Sequence, residues 1–311
     1  MAGHGNAHGM IGVDKMGAKI LFIDPVGYAT QKVLEGFQRT VHELLIVPET
    51  GLAYVPIYGD GIHGRNPNPG HTLCIIDLAK REHAGDIDLR PYIAPHTLKL
   101  APDGLIYVTC ENSAVVAVVD PKMRKVVEAI DSGSTNAHRL IISPDAMRLY
   151  TENEEDGEVS LIDLPKRKLL RKIKTPHPLA GITISADGKT VVVVSDQEPV
   201  LFLIDTTTER VRDTVRLKDV PKPAQIARYS PDWSLLGVTS LNSDTVSLIS
   251  PTFREQAAVK IGSQPMDMAY RGDELFVACQ GDGSVHVIDI PARRWKHSFK
   301  AGTGCESLGF F

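Results

Sequence analysis

A unit of about forty residues recurs along this 311-residue chain, and the repeat constrains the fold more than any other feature. Three clear copies occupy residues 96–130, 138–173 and 180–215, and weaker copies begin at Gln225 and Met266. Each copy alternates apolar and polar residues, is rich in Val, Ile and Leu, and contains Pro-Asp-Gly or Asp-Gly turns. These signals indicate four short strands per copy and no long helix. The chain is therefore predicted to be all-β.

The spacing of the copies predicts how the strands assemble. The first strands align at seven equivalent positions, which are His42, His96, His138, Ala180, Gln225, Met266 and Glu306. After one long interval of 54 residues the positions are 40–45 residues apart, which is the length of a four-stranded propeller blade. The C-terminal "CESLGFF" supplies one strand only, whereas "HGMIGV", "KILFID" and "QKVLEGF" supply three strands near the N-terminus. We therefore predict a single domain over residues 1–311, a seven-bladed β-propeller of four-stranded antiparallel blades. Its last blade joins one C-terminal strand to three N-terminal strands.

Two of the copies carry a recognisable motif. The segments "SPDAMRLYTENEEDGEVSLID" and "APDGLIYVTCENSAVVAVVD" resemble the YVTN-type propeller repeat of YncE-like proteins, and the resemblance extends over nearly the whole chain. It implies a seven-bladed propeller. It leaves the activity open, because relatives include binding proteins, lactonases and other enzymes.

Composition excludes several classes of function. The formal net charge is −4, and acidic and basic residues are mixed along the sequence, so we expect no nucleic-acid partner. No apolar run approaches about 18 residues, and the first residues lack the pattern of a signal peptide, so we expect no membrane segment. The four cysteines are far apart and form no CxxC pair, which argues against a disulfide framework or a structural zinc site. We expect a cytoplasmic protein.

The seven aligned positions predict a metal site. In a propeller the innermost strands all begin at one end of the central channel, which we call the mouth. Because the ring closes, Glu306 lies beside His42, so four neighbouring blades offer Glu306, His42, His96 and His138 to the mouth. Imidazole nitrogens with one carboxylate suit a divalent iron, zinc, manganese or copper ion and leave positions open for substrate or water. We predict these four residues as metal ligands.

The alternative is that the three histidines only fill the mouth. Each histidine has the same parity along its strand as apolar residues such as Leu98, which pack between blades, so only a position at the strand end lets the side chain turn inward. Three histidines at equivalent positions of consecutive repeats nevertheless favour a role as ligands.

The long first interval is explained by the insertion "YGDGIHGRNPNPGHT" at residues 58–72. We interpret it as a lid over the mouth whose His63, Arg65 and His71 bind an anionic substrate or transfer protons. A solvated loop is the alternative. Its "GDGIHG" matches GxGxxG in letters, but it opens no helix and therefore indicates no dinucleotide site.

These observations predict a metal-dependent enzyme that acts on a small, oxygen-rich organic molecule at the mouth. Lewis-acid cleavage of a lactone or ester, hydrolytic or of the lyase type, is the first interpretation. Two alternatives stay open: a non-haem iron oxygenase that uses the same His/Glu ligands, and a non-catalytic propeller that binds a protein or small molecule. The sequence gives no indication of the oligomeric state.

Overall fold

The protein forms seven four-stranded antiparallel sheets arranged as the blades of a propeller, which confirms the predicted fold class. The computed structural model describes residues 8–38, 40–61 and 65–311. Two short 3₁₀ turns, Glu111–Ser113 and Leu241–Ser243, account for the helical residues of this described part.

The strands follow the chain from the innermost to the outermost position of each blade, except in the blade that contains the N-terminus. The chain begins with the three outer strands of blade 7, which are β1 (Met10–Asp14), β2 (Lys19–Ile23) and β3 (Thr30–Leu34). Blade 1 contains β4 (Leu45–Val47), β5 (Leu52–Gly59), β6 (Pro69–Asp77) and β7 (Glu82–Asp88). Blade 2 contains β8 (Pro95–Leu100), β9 (Ile106–Cys110), β10 (Val115–Asp120) and β11 (Lys125–Asp131). Blade 3 contains β12 (Arg139–Ile142), β13 (Arg148–Asn153), β14 (Glu158–Asp163) and β15 (Lys168–Lys174).

The remaining blades follow the same order. Blade 4 contains β16 (Leu179–Ile184), β17 (Thr190–Ser195), β18 (Val200–Asp205) and β19 (Arg210–Arg216). Blade 5 contains β20 (Ile226–Tyr229), β21 (Leu236–Ser240), β22 (Thr245–Ile249) and β23 (Gln256–Lys260). Blade 6 contains β24 (Pro265–Arg271), β25 (Glu274–Cys279), β26 (Ser284–Asp289) and β27 (Arg294–Lys300). The chain returns to blade 7 with β28 (Cys305–Phe310).

Burial follows the position of each strand in its blade. The second strand of blade 4, "TVVVVS", is buried along its whole length because other blades cover both faces, and β-branched residues fit such a two-sided packing. The outermost strand of the same blade, "RVRDTVR", is mostly exposed and carries charges along its free edge. Charged outer strands discourage pairing with strands of other molecules.

The propeller is closed by the two ends of the chain. β28 pairs antiparallel with β1, with Met10 opposite Phe310 and Gly12 opposite Leu308. The predicted joining of one C-terminal strand to three N-terminal strands is confirmed.

The core consists of apolar layers between neighbouring blades. The described residues form seven buried apolar clusters, and each cluster combines residues of two adjacent blades. One of these clusters joins blade 7 to blade 1. In the layer between blades 6 and 7, Leu308 of the C-terminal strand packs with Met10 and Leu21 of the N-terminal strands and with Phe276 of blade 6. Ring closure is therefore stabilised by hydrophobic packing as well as by strand pairing.

We expect Leu308→Ala to lower the free energy of unfolding by about 2–4 kcal/mol, because it leaves a cavity in the layer that closes the ring. The matched control is Leu170→Ala on outer strand β15, where the side chain is 46% exposed and a change within about 0.5 kcal/mol is expected. Urea unfolding followed by circular dichroism measures both variants. Equal destabilisation by the two substitutions would contradict this account of closure.

Candidate metal centre at the channel mouth

In blades 2, 6 and 7, irregular pairing at the start of the inner strand turns the aligned side chain toward the mouth. In blades 1 and 3 the aligned histidines, His42 and His138, lie before the first residue of the inner strand. The register between the first and second strands shifts between Pro95 and Leu98 in blade 2 and between Pro265 and Met268 in blade 6. In blade 7 the partners Cys305 and Ser307 leave Glu306 as an extra residue. A β-bulge re-aims the side chain that it contains, so the strand alternation no longer directs these residues between the blades.

The three predicted histidines lie side by side at the mouth, and we call them the histidine row. The rings of His42 and His96 have centroids 4.2 Å apart, as have those of His96 and His138. All three residues are buried, with 3–4% of their surface exposed. Glu306 follows at the blade 7 end, with its Oε2 3.0 Å from Nδ1 of His42. The structure therefore brings the four predicted ligands together in ring order.

A second set of side chains lies beside this row, at the ends of the second strands. Ile11, Tyr54, Tyr107 and Tyr150 occupy equivalent register positions in blades 7, 1, 2 and 3. The residue four positions after each of them reaches the mouth. We call these residues the second-strand set, and they are Lys15, Tyr58, Glu111 and Glu154.

At one end of the mouth Glu306 is held by a cation. The ammonium of Lys15 lies 3.0 Å from Oε1 of Glu306 and donates a hydrogen bond to it. Burial alone would raise the pKa of Glu306, but His42 and Lys15 outweigh this effect and lower it to about 2. The carboxylate is therefore ionised at neutral pH and already has a partner.

The histidine row contains imidazoles of two kinds. Burial, reinforced by the charges of His42 and His138, holds the pKa of His96 well below its usual value. Burial also lowers the pKa of His42, against the opposing effect of Glu306. These two rings are neutral at pH 7, and a neutral imidazole can bind a metal or accept a proton.

His138 differs because carboxylates surround it. Its Nδ1 lies 2.5 Å from Oε1 of Glu152 and 3.5 Å from Oε2 of Glu154. Burial would lower the pKa of His138, but the charges of Glu152 and Glu154 outweigh burial and raise it. Glu152 is fully buried, and its Oε2 has no hydrogen-bond partner among the described residues. An ionised group without full solvation is costly, so this end of the mouth favours a further cation.

The ligand atoms of Glu111, His138 and Glu154 all lie within 4.8 Å of one another. The described residues contain two clusters of potential ligand atoms this close together. Neither cluster includes His42, His96 or Glu306. The second cluster, formed by Cys74, His83 and Asp86, lies on the outer strands of blade 1. The convergence of these three ligand atoms therefore favours the blade 3 end of the mouth as the place for a metal ion.

Tyr58 links the histidine row to this cluster. Its hydroxyl donates a hydrogen bond to Oε2 of the Glu111 carboxylate, and its ring makes edge contacts with His42 and His96 at centroid distances of 5.3 and 5.6 Å. Burial and the Glu111 charge raise the pKa of Tyr58 strongly, so the phenol stays protonated and acts as a donor. It thereby fixes the orientation of Glu111.

The structure describes two of the three residues predicted for substrate binding and proton transfer. The imidazole of His71, on β6, pairs with Asp88 at the end of outer strand β7, with Nδ1 and Oδ1 3.1 Å apart. Arg65 lies exposed in the loop between β5 and β6, and His63 lies outside the described residues. The neighbouring Asn66 donates from its side-chain nitrogen to the Tyr58 carbonyl over 2.8 Å, which holds the loop against the mouth. The roles of His63, Arg65 and His71 stay predictions.

The sequence analysis assigned no role in the site to Lys15, Tyr58, Glu111 and Glu154. The signal was present, because Tyr54, Tyr107 and Tyr150 each precede a polar residue by four positions in consecutive repeats. The first-strand positions do not include these residues, whereas the second-strand positions of the repeats identify them.

Comparison with known proteins agrees with this architecture. No model of a known protein family matches the sequence. YncE of Salmonella typhi, itself described as uncharacterised, is 23% identical over 207 residues, which are 64% of this chain and 56% of that protein. The chain thus matches little more than half the length of this relative.

Two solved structures share the fold. One is hydrazine synthase of Kuenenia stuttgartiensis, with a TM-score of 0.74 and 19% identity over 90% of this chain and 92% of that one. The other is a functionally unknown protein from Desulfotomaculum acetoxidans, with a TM-score of 0.78 and 12% identity over 97% and 98% of the two chains. Likeness at this identity shows the propeller fold alone. Within the described residues, no helix is long and apolar enough to cross a membrane.

We expect Glu306→Gln to lower the free energy of unfolding of the metal-free protein by about 3 kcal/mol at neutral pH, because Lys15 loses its buried partner. The folded-state pKa of about 2 lies below the usual 4.5, so the wild type gains this stability above pH 4.5 and loses it as the pH falls toward 2. The difference between wild type and variant should therefore shrink over that range. Urea unfolding at neutral pH and at about pH 3 measures it.

The matched control is Glu35→Gln, which breaks the exposed Lys19–Glu35 pair on the same blade. An exposed pair contributes less than about 1 kcal/mol. A pH-independent difference for Glu306→Gln, or equal effects of both variants, would contradict this account of Glu306.

Proposed function

We propose that the channel mouth binds one divalent metal ion and that the protein is an enzyme acting on a small, oxygen-rich organic molecule there. The observation that carries the proposal is the convergence of Glu111, His138 and Glu154 within 4.8 Å. Two ligands on opposite sides of a metal ion, each about 2.1 Å from it, are about 4.2 Å apart. Small side-chain movements therefore close the set around an ion.

Glu152 supports this assignment as an outer partner of His138. When a histidine binds a metal through one nitrogen, its other nitrogen commonly donates to a carboxylate, which fixes the ring. Glu152 lies 2.5 Å from Nδ1 of His138 and would orient the ring in this way. A bound dication would also supply positive charge to the unpartnered side of the Glu152 carboxylate.

Three protein ligands leave coordination positions for water and substrate, as in catalytic metal sites. A metal ion there would polarise a carbonyl or lower the pKa of a bound water, which supports cleavage of lactones or esters. His96 is the neighbouring neutral imidazole, 4.2 Å from His138 between ring centroids, and would accept the proton of that water. With iron, the same donors would support dioxygen chemistry instead.

The ligand set His42, His96, His138 and Glu306 is the alternative arrangement at the same mouth. The two sets share His138. The convergent set adds Glu111 and Glu154 to it. The alternative set adds His42, His96 and Glu306, and Glu306 already pairs with Lys15. We favour the convergent set because its carboxylates surround one imidazole. The similarity to YncE also supports the interpretation of the chain as a YVTN-type propeller.

We expect the purified protein to bind one equivalent of Zn²⁺ or Mn²⁺. Glu111→Gln, Glu154→Gln and His138→Gln should each raise the dissociation constant by at least about tenfold, because each removes a ligand. Isothermal titration calorimetry and elemental analysis after dialysis measure this. The matched control, Glu155→Gln, changes an exposed neighbour in the same loop and should leave binding unchanged.

The same titration separates the two ligand sets. Weakened binding in His42→Gln and Glu306→Gln, with Glu154→Gln unaffected, would support the alternative arrangement. Absence of stoichiometric metal from the wild type would contradict both. Metal binding without cleavage of small lactones, followed by titration of released acid, would favour a binding protein over an enzyme.

A further inference from the structure

The cluster of Cys74, His83 and Asp86 lies on the two outer strands of blade 1, whereas the mouth residues belong to first and second strands. Cys74 is on β6, His83 and Asp86 are on β7, and the ligand atoms of all three lie within 4.8 Å of one another. Cys74 is buried, whereas the side chains of His83 and Asp86 are 40% and 50% exposed. The cluster therefore has a sulfur atom at its base and two ligands at the protein surface.

Strand pairing explains why these three side chains share one face of the blade. Cys74 and Asp86 are directly opposite one another, and Ile76, the next residue of β6 on the same face, is opposite His83. The register shifts just before Ile76, which leaves Ala84 as an extra residue of β7. Residues three positions apart point to opposite faces of a regular strand, but this bulge places His83 and Asp86 on the face of Cys74.

The bulge recurs in the propeller, whereas the three ligands do not. The third and fourth strands show the same register shift in blades 2, 3, 4, 6 and 7. No equivalent triplet in these blades contains more than one side chain that commonly binds a metal. In that order of blades, the residues equivalent to Cys74, His83 and Asp86 are Ala117, Val126 and Ala129; Ser160, Leu169 and Lys172; Phe202, Val211 and Thr214; His286, Trp295 and Ser298; and Leu21, Thr30 and Val33. Packing of the blades therefore does not require a thiol, an imidazole and a carboxylate at these positions.

The carboxylate of Asp86 has its charge available to a cation. Its Oδ1 lies 2.8 Å from Nε2 of His83, and no lysine or arginine among the described residues forms an ion pair with it. The ring of Phe37 makes an edge contact with His83 at a centroid distance of 5.5 Å, which restricts the imidazole on its other side. Burial, with a smaller contribution from the Asp86 charge, raises the pKa of the Cys74 thiol, so the thiol keeps its proton until an ion replaces it.

We propose that Cys74, His83 and Asp86 bind one Zn²⁺ ion. Zinc accepts sulfur, nitrogen and oxygen ligands in one tetrahedron, and a thiolate favours zinc over magnesium or calcium. Bonds of about 2.0–2.3 Å place neighbouring ligand atoms of such a tetrahedron about 3.3–3.7 Å apart. Small side-chain movements bring the three atoms to these separations, and a water molecule takes the fourth position. The spacing of the cysteines gives no sign of this site, because a single thiol takes part.

The probe is Co²⁺, which replaces zinc in such sites and absorbs in the near ultraviolet when a thiolate is bound to it. Neither candidate ligand set at the mouth contains a thiol, so this absorption distinguishes the outer site from the mouth. We expect the absorption to saturate at one equivalent in the reduced wild-type protein and to disappear when Zn²⁺ displaces Co²⁺. A wild-type protein without thiolate absorption would overturn the proposal, whether or not the mouth binds a metal ion.

Variants of the two exposed ligands test the site without disturbing the core. His83→Gln and Asp86→Asn should each raise the dissociation constant of the absorbing site by at least about tenfold, because each removes a ligand. The matched control, Glu82→Gln, removes an exposed carboxylate from the same strand and should leave the constant unchanged. Unchanged affinity in both ligand variants would overturn the assignment even if the wild type binds Co²⁺.

A pair of cysteine variants identifies the sulfur ligand. Cys74→Ala should abolish the absorption, whereas Cys305→Ala, which removes another buried thiol, should retain it. Circular dichroism confirms that each variant is folded. Absorption that persists in folded Cys74→Ala, or that is lost in folded Cys305→Ala, would overturn the proposal.

The zinc ion bound here is additional to the metal ion expected at the mouth, and Glu154→Gln keeps the two sites apart. We expect this variant to retain the thiolate absorption with unchanged affinity, because the outer site shares no ligand with the mouth. Loss of the absorption in Glu154→Gln would overturn the proposal, since it would place the thiolate at the mouth. An intact absorption in a protein that binds no metal at the mouth would contradict the proposed function alone.

Discussion

The pairing of β28 with β1 is the contact on which the rest of the structure depends. It converts seven sheets in a row into a ring, so that every inner strand has a neighbour on both sides and every apolar layer is shared by two blades. Closure also fixes which residues meet. Glu306 and Lys15 are 291 positions apart in the chain and become neighbours only because blade 7 contains both ends. Without this pairing the mouth would lack one of its sides.

Several buried charges around the channel have a compensating neighbour. Glu306 has Lys15, Glu43 has Arg139, and Asp267 has Arg228. A buried charge pair is seldom a net source of stability, since desolvation offsets much of the attraction. Such arrangements are consequently costly to keep for packing alone. Their concentration around the central channel, together with neutral imidazoles at its mouth, is the physical argument for a functional site here.

The sequence predicted the repeat, the blade count and the composition of the closing blade, because a forty-residue period with strand alternation has few other solutions. It also predicted that His42, His96 and His138 are neighbours. It did not predict the β-bulges near Pro95 and Pro265, since alternation alone assigns the opposite orientation to residues there. The contact of Glu152 with His138 depends on side-chain rotamers across two strands, which no periodicity describes.

The long separation in sequence between β1 and β28 has a consequence for biosynthesis. A ribosome releases β1 before β28, so the edge of β1 in blade 7 stays unpaired until β28 has been synthesised. Blades 2 and 3, which carry Glu111, His138 and Glu154, are complete much earlier. The three candidate ligands are therefore brought together during synthesis before β28 closes the ring.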